Sequence, residues 1–221
     1  MKIYNLAIIL ARKGSKRLKN KNFKILKGKP LIYWTILRAK QSKIFNNIIV
    51  STDSKKIKNF SISQNILCPW LRPKKLSLDK TKSETAALHA LKWYEKKYSK
   101  KVDCITLLQP TSPFRTIKNI RLAFKLYIKH KFCSVVAVNF CTKKNIKKLY
   151  FYKKPFCHRV EKNKNYKNKY EMNGNIFIIN AKKLKNKKNF SDPRFIPIFI
   201  KSKKESLDID TKEDFIFSKK M

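Results

Sequence analysis

Two stretches of the chain carry the residue types that handle phosphate. The first is Ala7–Asn22, AIILARKGSKRLKNKN, where an apolar run breaks into a loop holding Gly14, Ser15 and six basic side chains. Arg12, Lys13, Lys16, Arg17, Lys19 and Lys21 offer charge-assisted donors, and Gly14 lets backbone N–H groups come close to an oxyanion. The order is neither G-x-x-x-x-G-K-[ST] nor G-x-G-x-x-G, so the two common nucleotide loops are excluded. In a chain this rich in lysine, the same stretch also reads as a solvated turn. The second stretch is acidic: of 13 Asp and Glu residues, five (Glu205, Asp208, Asp210, Glu213 and Asp214) fall within ten positions. In L-D-I-D-T the aspartates alternate with Leu207 and Ile209, so a short strand there would project both carboxylates from one face. Mg²⁺ takes one or two carboxylates plus water and substrate phosphate oxygens, which suits nucleotidyl transfer. The other reading of the same residues is a helix start, with Asp210 as cap and Glu213 at the third helical position.

A third segment, Leu107–Thr116 (LLQPTSPFRT), reads as a strand end followed by Gln109, Thr111, Ser112 and Arg115 on a path fixed by Pro110 and Pro113. A rigid loop with amide and hydroxyl groups reads a small polar ligand at little ordering cost. It also reads as a well-made loop in which Ser112 and Thr116 only cap. The histidines and cysteines show no zinc spacing, and His89 reads as packed on a helix.

The elements that must place these groups alternate along the chain. Leu6–Ala11 predicts a strand buried on both faces, and ligands of open α/β sheets lie beyond such strand ends. A crossover helix follows from Pro30, then a strand at Ile48–Asp53, a helix over Lys55–Gln64 and a short strand at Ile66–Pro69. Thr81 to Glu84 has capping-box form and predicts a helix to about Tyr98. CITLLQP predicts a central strand, Thr116 caps a helix through Tyr127, and Ser134–Phe140 returns as a strand. This β-α-β-α order implies an α/β fold with a mainly parallel, right-handed wound sheet in a single domain spanning 1–221. From Cys141 to Glu171 the pattern fails, ten lysines intervene, and the segment reads as an excursion from the sheet or as a loose loop. A strand at Asn175–Asn180, a helix near Ala181–Leu184, a strand at Ile196–Ile200 and a helix from Thr211 complete the chain.

Composition narrows the function. With 43% hydrophobic and 12% aromatic residues over 221 positions the chain folds, despite a formal charge of +42. That charge invites a nucleic-acid reading, but the basic residues are spread evenly, and 47 of the 55 are lysine rather than the better bidentate reader arginine. Compositional drift explains such a surface without a dedicated nucleic-acid partner. Average usage gives roughly 15 glycines in this length, yet only Gly14, Gly28 and Gly174 are present, which marks them as places where φ > 0 or a close approach is needed. Five cysteines without C-x-x-C spacing and the lack of a signal-type apolar stretch lead us to expect a reduced, cytoplasmic protein with no membrane partner.

The motifs ARKGSKRLKNKN, LKGKPLIYWTI, IIVSTDS, LRP at Leu71–Pro73, LLQPTSPFRT, NGNIFIIN and SLDIDTKEDF occur in one order over nearly the whole chain. Together they resemble the acylneuraminate cytidylyltransferases, which join CTP to sialic acid and related nine-carbon acidic sugars. The resemblance implies a Rossmann-like fold of the nucleotide-diphospho-sugar transferase type, with residues 141–171 as a dimerisation arm and a homodimeric assembly. It implies a nucleotide site of Ala11, Arg12, Gly14, Ser15, Lys21, Asn22, Arg72 and Ser83, and a sugar site of Gln109, Ser112, Arg115, Glu171, Asn173 and Gly174. Arg12, Lys16, Lys21 and Asp210 would be catalytic, with Mg²⁺ on Asp208 and Asp210. Read from the residues alone, Arg72 and Ser83 serve equally as structural groups. Members that use sialic acid commonly show R-Q-x-L-P ahead of R-P-N-G, where this chain has Asn163–Lys167 and Glu171–Gly174. With Glu171 at an arginine position, a sugar rich in N-acyl N–H donors, of the legionaminic type, is expected at least as often as N-acetylneuraminate. Transferases for 3-deoxy-manno-octulosonate are the alternative enzymes, and a basic nucleic-acid binder is the alternative outside enzymes.

Overall fold

The computed structural model describes residues 3–141, 149–161, 165–187 and 194–221. Strand β1 (Asn5–Leu10) is buried along almost its whole length, as its unbroken apolar run demands. It is followed by a small hairpin of β2 (Ile25–Leu26) and β3 (Lys29–Pro30), helix α1 (Leu31–Ser42), β4 (Asn47–Ser51), α2 (Lys55–Ser63) and α3 (Ser83–Tyr98). Then come β5 (Cys104–Leu107), α4 (Ile117–Lys129), β6 (Val135–Phe140), β7 (Tyr150–Lys153), β8 (Phe156–Arg159), β9 (Tyr170–Asn180), α5 (Ala181–Lys187), β10 (Arg194–Phe199) and α6 (Lys212–Lys219).

Eight strands form one sheet in the order β4-β1-β5-β9-β6-β10-β8-β7. Strands β4, β1, β5, β6, β10 and β7 run one way, and β9 and β8 run the other. The mainly parallel wound sheet is therefore present, with one antiparallel strand inserted at its centre. Side chains alternate between its faces. Ile9, Val50 and Ile178 join Ile32 and Ile36 of α1 and Ile120 and Ala123 of α4 in one core. Leu6, Ile8 and Ile105 join Ala87, Leu91 and Tyr94 of α3 and Leu184 of α5 in the other. Both faces are covered by helices, which is why the strands read as continuous apolar runs.

Four local expectations are corrected. The short strand at Ile66–Pro69 is a single bridge, Ile49 to Leu67, because the chain turns away after one pair. The box at Thr81–Glu84 does not form: α3 starts at Ser83 without a side-chain cap, and the Thr81 hydroxyl bonds the Lys75 carbonyl instead, at 3.0 Å. Leu207–Asp210 belongs to no strand; the Ile209 N–H bonds the Thr111 carbonyl at 2.8 Å. Within Cys141–Glu171, residues 142–148 and 162–164 lie outside the described residues, and the rest does not leave the sheet. There β7 and β8 form a hairpin at its edge, and Tyr150 and Cys157 are buried against Val136, Val138 and Phe195.

Candidate active site

The loop after β1 is held open from beneath. Ala11, fully buried, donates its N–H to the Ser51 carbonyl at 3.0 Å, and the Lys13 N–H bonds Asp53 at 2.6 Å. The buried Asn22 side chain donates to the Arg12 carbonyl at 2.9 Å, which fixes the base of the arginine. These bonds splay the loop around a cleft of about 270 Å³ beyond the ends of β1 and β5, where an α/β sheet binds its ligand. Of the residues expected at the nucleotide, Arg12, Ser15, Lys21, Asn22, Arg72 and Ser83 line that cleft. Ala11 and Gly14 flank it; a Cβ at Gly14 would touch nothing within 4 Å, so the backbone there faces free space.

Four of the loop's six cations are held by two carboxylates. Lys21 Nζ lies 2.5 Å from Asp210 Oδ1, with Arg17 on the other oxygen of the same carboxylate. Arg12 Nη1 lies 2.5 Å from Asp79 Oδ1, and Lys16 Nζ lies 3.1 Å from Asp79 Oδ2. Hydrogen bonds from Lys16 and Arg12 hold the Asp79 carboxyl below the usual carboxylate range. Sequence reasoning missed Asp79; the available signal was a lone acid inside the lysine-rich run Lys74–Lys82. Thr111, expected on the ligand-reading loop, also lines the cleft.

Arg72, a lining residue of the cleft, is 6% exposed, and its buried Nε and Nη2 have no hydrogen-bond partner. Buried guanidinium donors are seldom left so, and a ligand edge rich in acceptors would satisfy them. Burial lowers the pKa of Arg72, and Asp53 pulls it back. Behind it His89 packs edge-on against Trp70, with ring centroids 5.2 Å apart. Burial and then the charge of Arg72 lower the pKa of that imidazole.

The residues expected to read the sugar divide into three places. Gln109 lines the cleft. Ser112 and Arg115 lie beneath it, at 2% and 1% exposure, and so cannot touch a ligand in this arrangement. Arg115 is instead the peg under the loop: Nε bonds the Asn175 carbonyl at 2.5 Å, Nη1 the Thr35 hydroxyl at 3.2 Å and Nη2 the Gln109 carbonyl at 2.9 Å. Burial pushes its pKa down to about 9 while Glu205 and Asp208 pull it back up, so it stays charged near neutrality. The role expected for Arg115 at the sugar is corrected to one of positioning.

Glu171, Asn173 and Gly174 belong to β9, where the ladder to β6 is broken. Val136 pairs with Phe177 but Val138 with Met172, so β9 advances five residues while β6 advances two. The bulge re-aims Asn173 and Gly174, as bulges beside sites commonly do. Asn173 bonds the Asn139 side chain at 2.6 Å, and its own Oδ1 accepts from the Asn175 N–H at 3.0 Å. A Cβ on Gly174 would collide with the side-chain amide of Gln109 and displace it from its present position, whereas Gly28 is favoured by its φ of +74°. Glu171 is half-buried opposite Asn139 in the ladder, outside the lining of the cleft.

Asp208 and Asp210 flank Ile209, which is fully buried among Leu18, Leu26, Leu31 and Phe215; neither lines the cleft, and Asp210 is tied to the loop through Lys21 and Arg17. The helix-cap reading of Asp210 is corrected: Thr211 caps α6, and Asp214 completes the box. Asp210 instead holds Lys21 and Arg17 of the loop. Asp208 Oδ1 is buried without a hydrogen-bond partner. Burial pushes the Asp208 carboxyl up, the Thr111 hydroxyl pulls it back, and Asp210 raises it again. A desolvated carboxylate oxygen with no donor, beside a second carboxylate, fits a hard divalent cation.

The family model described as cytidylyltransferase matches residues 6–214. The CMP-N,N'-diacetyllegionaminic acid synthase of Legionella pneumophila is 35% identical over 98% of this chain and 95% of its own length. The N-acylneuraminate cytidylyltransferase of Escherichia coli is 38% identical over 95% of this chain, which spans about half (50%) of that longer protein. Among solved structures, a CMP:2-keto-3-deoxy-manno-octonic acid synthetase complexed with CTP superposes with TM-score 0.75 over 99% of this chain and 100% of that one, at 12% identity. A putative glucose-1-phosphate thymidylyltransferase from Bacillus anthracis does so with TM-score 0.72 over 98% of this chain and 94% of its own, at 14% identity. The last two show the fold, and the sequence relatives and the matched model go further: the chain belongs to the cytidylyltransferase family.

Proposed function

We propose that this enzyme transfers CMP from CTP to the anomeric oxygen of an acidic nonulosonic sugar and releases pyrophosphate. The observation that carries the reading is the cleft itself, lined by Arg12, Lys21 and Arg72 beyond the strand ends, with Lys21 also reaching Asp210. In the reaction the sugar's anomeric hydroxyl attacks the α-phosphorus, the bond to the β-phosphate bridging oxygen breaks, and the hydroxyl proton departs. Arg12, Lys16 and Lys21 neutralise the triphosphate, and in a cleft partly shut off from water their charge counts for more than in bulk solvent. The donors of Arg72 that lack partners suit the oxygen and ring nitrogen acceptors of cytosine. Asp208 and Asp210 would hold Mg²⁺, which when bound supplies positive charge to the phosphate oxygens. Gln109, seated on Gly174 and pegged by Arg115, presents its amide to the sugar.

The sugar favoured is a di-N-acylated one. The Legionella relative matched over nearly its full length carries N,N'-diacetyllegionaminic acid in its name. Pairing of two copies is supported by the outer face of the edge hairpin and its neighbours, where Phe140, Tyr152 and Phe199 are 56%, 42% and 36% exposed and contact one another through Tyr170. Five free cysteines suit a reducing cytoplasm, and no helix among the described residues is long and apolar enough to cross a membrane. The test is pyrophosphate release from CTP with N-acetylneuraminate, N,N'-diacetyllegionaminate and 3-deoxy-manno-octulosonate, with and without Mg²⁺. Turnover is expected with the first two, highest with the di-N-acyl sugar and lost on chelation. Release with the octulosonate alone would overturn the substrate class.

A further inference from the structure

Among the residues that line the cleft, Asp79 stands out by sign. Its neighbours Arg12, Lys21, Arg72 and Lys82 are basic, and the ligand the cleft is built for is a polyanion. A carboxylate there repels the substrate unless it has another task. Its two oxygens take two different cations, Oδ1 on Arg12 at 2.5 Å and Oδ2 on Lys16 at 3.1 Å. Two non-bridging oxygens of a phosphate would engage the same pair in the same way. The contact is also breakable: Asp79 is 43% exposed and Lys16 84%, so water and ions reach both. Lys21 differs, since it is only 14% exposed and is held by Asp210.

The stretch bearing Asp79 is folded on itself and does not depend on the loop it grips. Leu76 bonds the Pro73 carbonyl at 2.9 Å, Ser77 the Lys74 carbonyl at 2.9 Å, and the Thr81 hydroxyl the Lys75 carbonyl at 3.0 Å. The carboxylate can therefore swing away while its own turn stays intact.

We propose that Asp79 is an internal counter-anion, which occupies Arg12 and Lys16 in the empty cleft, yields them to the triphosphate and reclaims them as pyrophosphate leaves. This rests on the nucleotidyl-transfer reading of the cleft. The consequence is a uniform penalty on every phosphate ligand that needs Arg12 and Lys16. Substrate and product are both weakened, and the product is displaced by a group that is always at hand. In a chain of charge +42, such a competitor keeps the cleft from being filled by whichever anion is present.

The experiment compares the unmodified chain with Asp79→Asn and Asp79→Ser, by calorimetric titration with CTP, pyrophosphate and tripolyphosphate and by turnover assays. Melting temperatures establish that both variants are folded. For both, CTP and pyrophosphate are expected to bind about fivefold tighter, the scale of one partly exposed ion pair. Tripolyphosphate tightens by a similar factor, and pyrophosphate dissociates more slowly. Unchanged or weaker binding in the variants would overturn the proposal and make Asp79 an aligner of Arg12. The readouts separate the two claims. Tighter tripolyphosphate binding in a chain that makes no CMP-sugar supports the counter-anion and sinks the proposed reaction. Turnover with no shift in phosphate affinity supports the reaction and sinks the counter-anion.

Discussion

Arg72 and Arg115 are both buried arginines, yet their surroundings assign them opposite tasks. Arg72 leaves two donors without partners, whereas Arg115 gives its donors to the carbonyls of Gln109, Gly174 and Asn175 and to the Thr35 hydroxyl. Replacing Arg72 with leucine should raise the KM for CTP at least tenfold, about 1.4 kcal/mol. It should leave the melting temperature unchanged or slightly higher, since two unsatisfied groups are removed. A steady-state titration of CTP with a thermal melt checks both. Arg115→Met should do the reverse. Stranding buried carbonyls and the charges of Glu205 and Asp208 should cost about 3–5 kcal/mol in urea denaturation, while the folded fraction keeps its affinity for CTP. These opposite roles were not legible from the chain, because motif position shows only that a residue is near the ligand. Whether its donors are free or engaged is a property of the tertiary neighbours.

At the scale of elements, the sequence was most readable where one period ran unbroken. The strand before the phosphate loop, the helix after Pro30 and the cap at Thr116 all lie within a residue or two of their expected places. It was least readable where short polar side chains had a choice of partners. Thr81 bonds a loop carbonyl instead of a helix start, and Thr211 rather than Asp210 opens α6. That second choice has a measurable result. Thr211→Ala should lower stability by about 1 kcal/mol and leave turnover at moderate temperature largely intact. Asp210→Asn should lower turnover by orders of magnitude and barely move the melt. Paired melts and pyrophosphate assays distinguish cap from site residue; full activity in Asp210→Asn would remove that aspartate from the mechanism. The bulge in β9 was equally hidden, since N-G-N in an apolar run looks the same whether the strand is straight or broken. Its displaced carbonyls are met by Gln109 N–H and Arg115 rather than by a neighbouring strand.

For the whole molecule, the proposed pairing of two copies turns on the edge hairpin. The inner face of the hairpin is satisfied by the sheet, so a dimer would have only its outer aromatics to use. Light scattering at micromolar concentration should give twice the chain mass. Tyr152→Ser with Phe199→Ser should shift it toward the monomer; a monomeric unmodified chain would dismiss the pairing. The centre of the sheet bears on how the protein is made. Strand β9 lies between β5 and β6, so when the ribosome has produced residues 1–140, the strands β4, β1 and β5 can already pair. The open edge of β5, Cys104–Leu107, must then wait for residues 170–180, several seconds of synthesis at about 5–20 residues per second. During that interval a buried, apolar strand edge is exposed to other nascent chains. The step most vulnerable to aggregation is thus the late arrival of the strand that also carries Gly174 to Gln109.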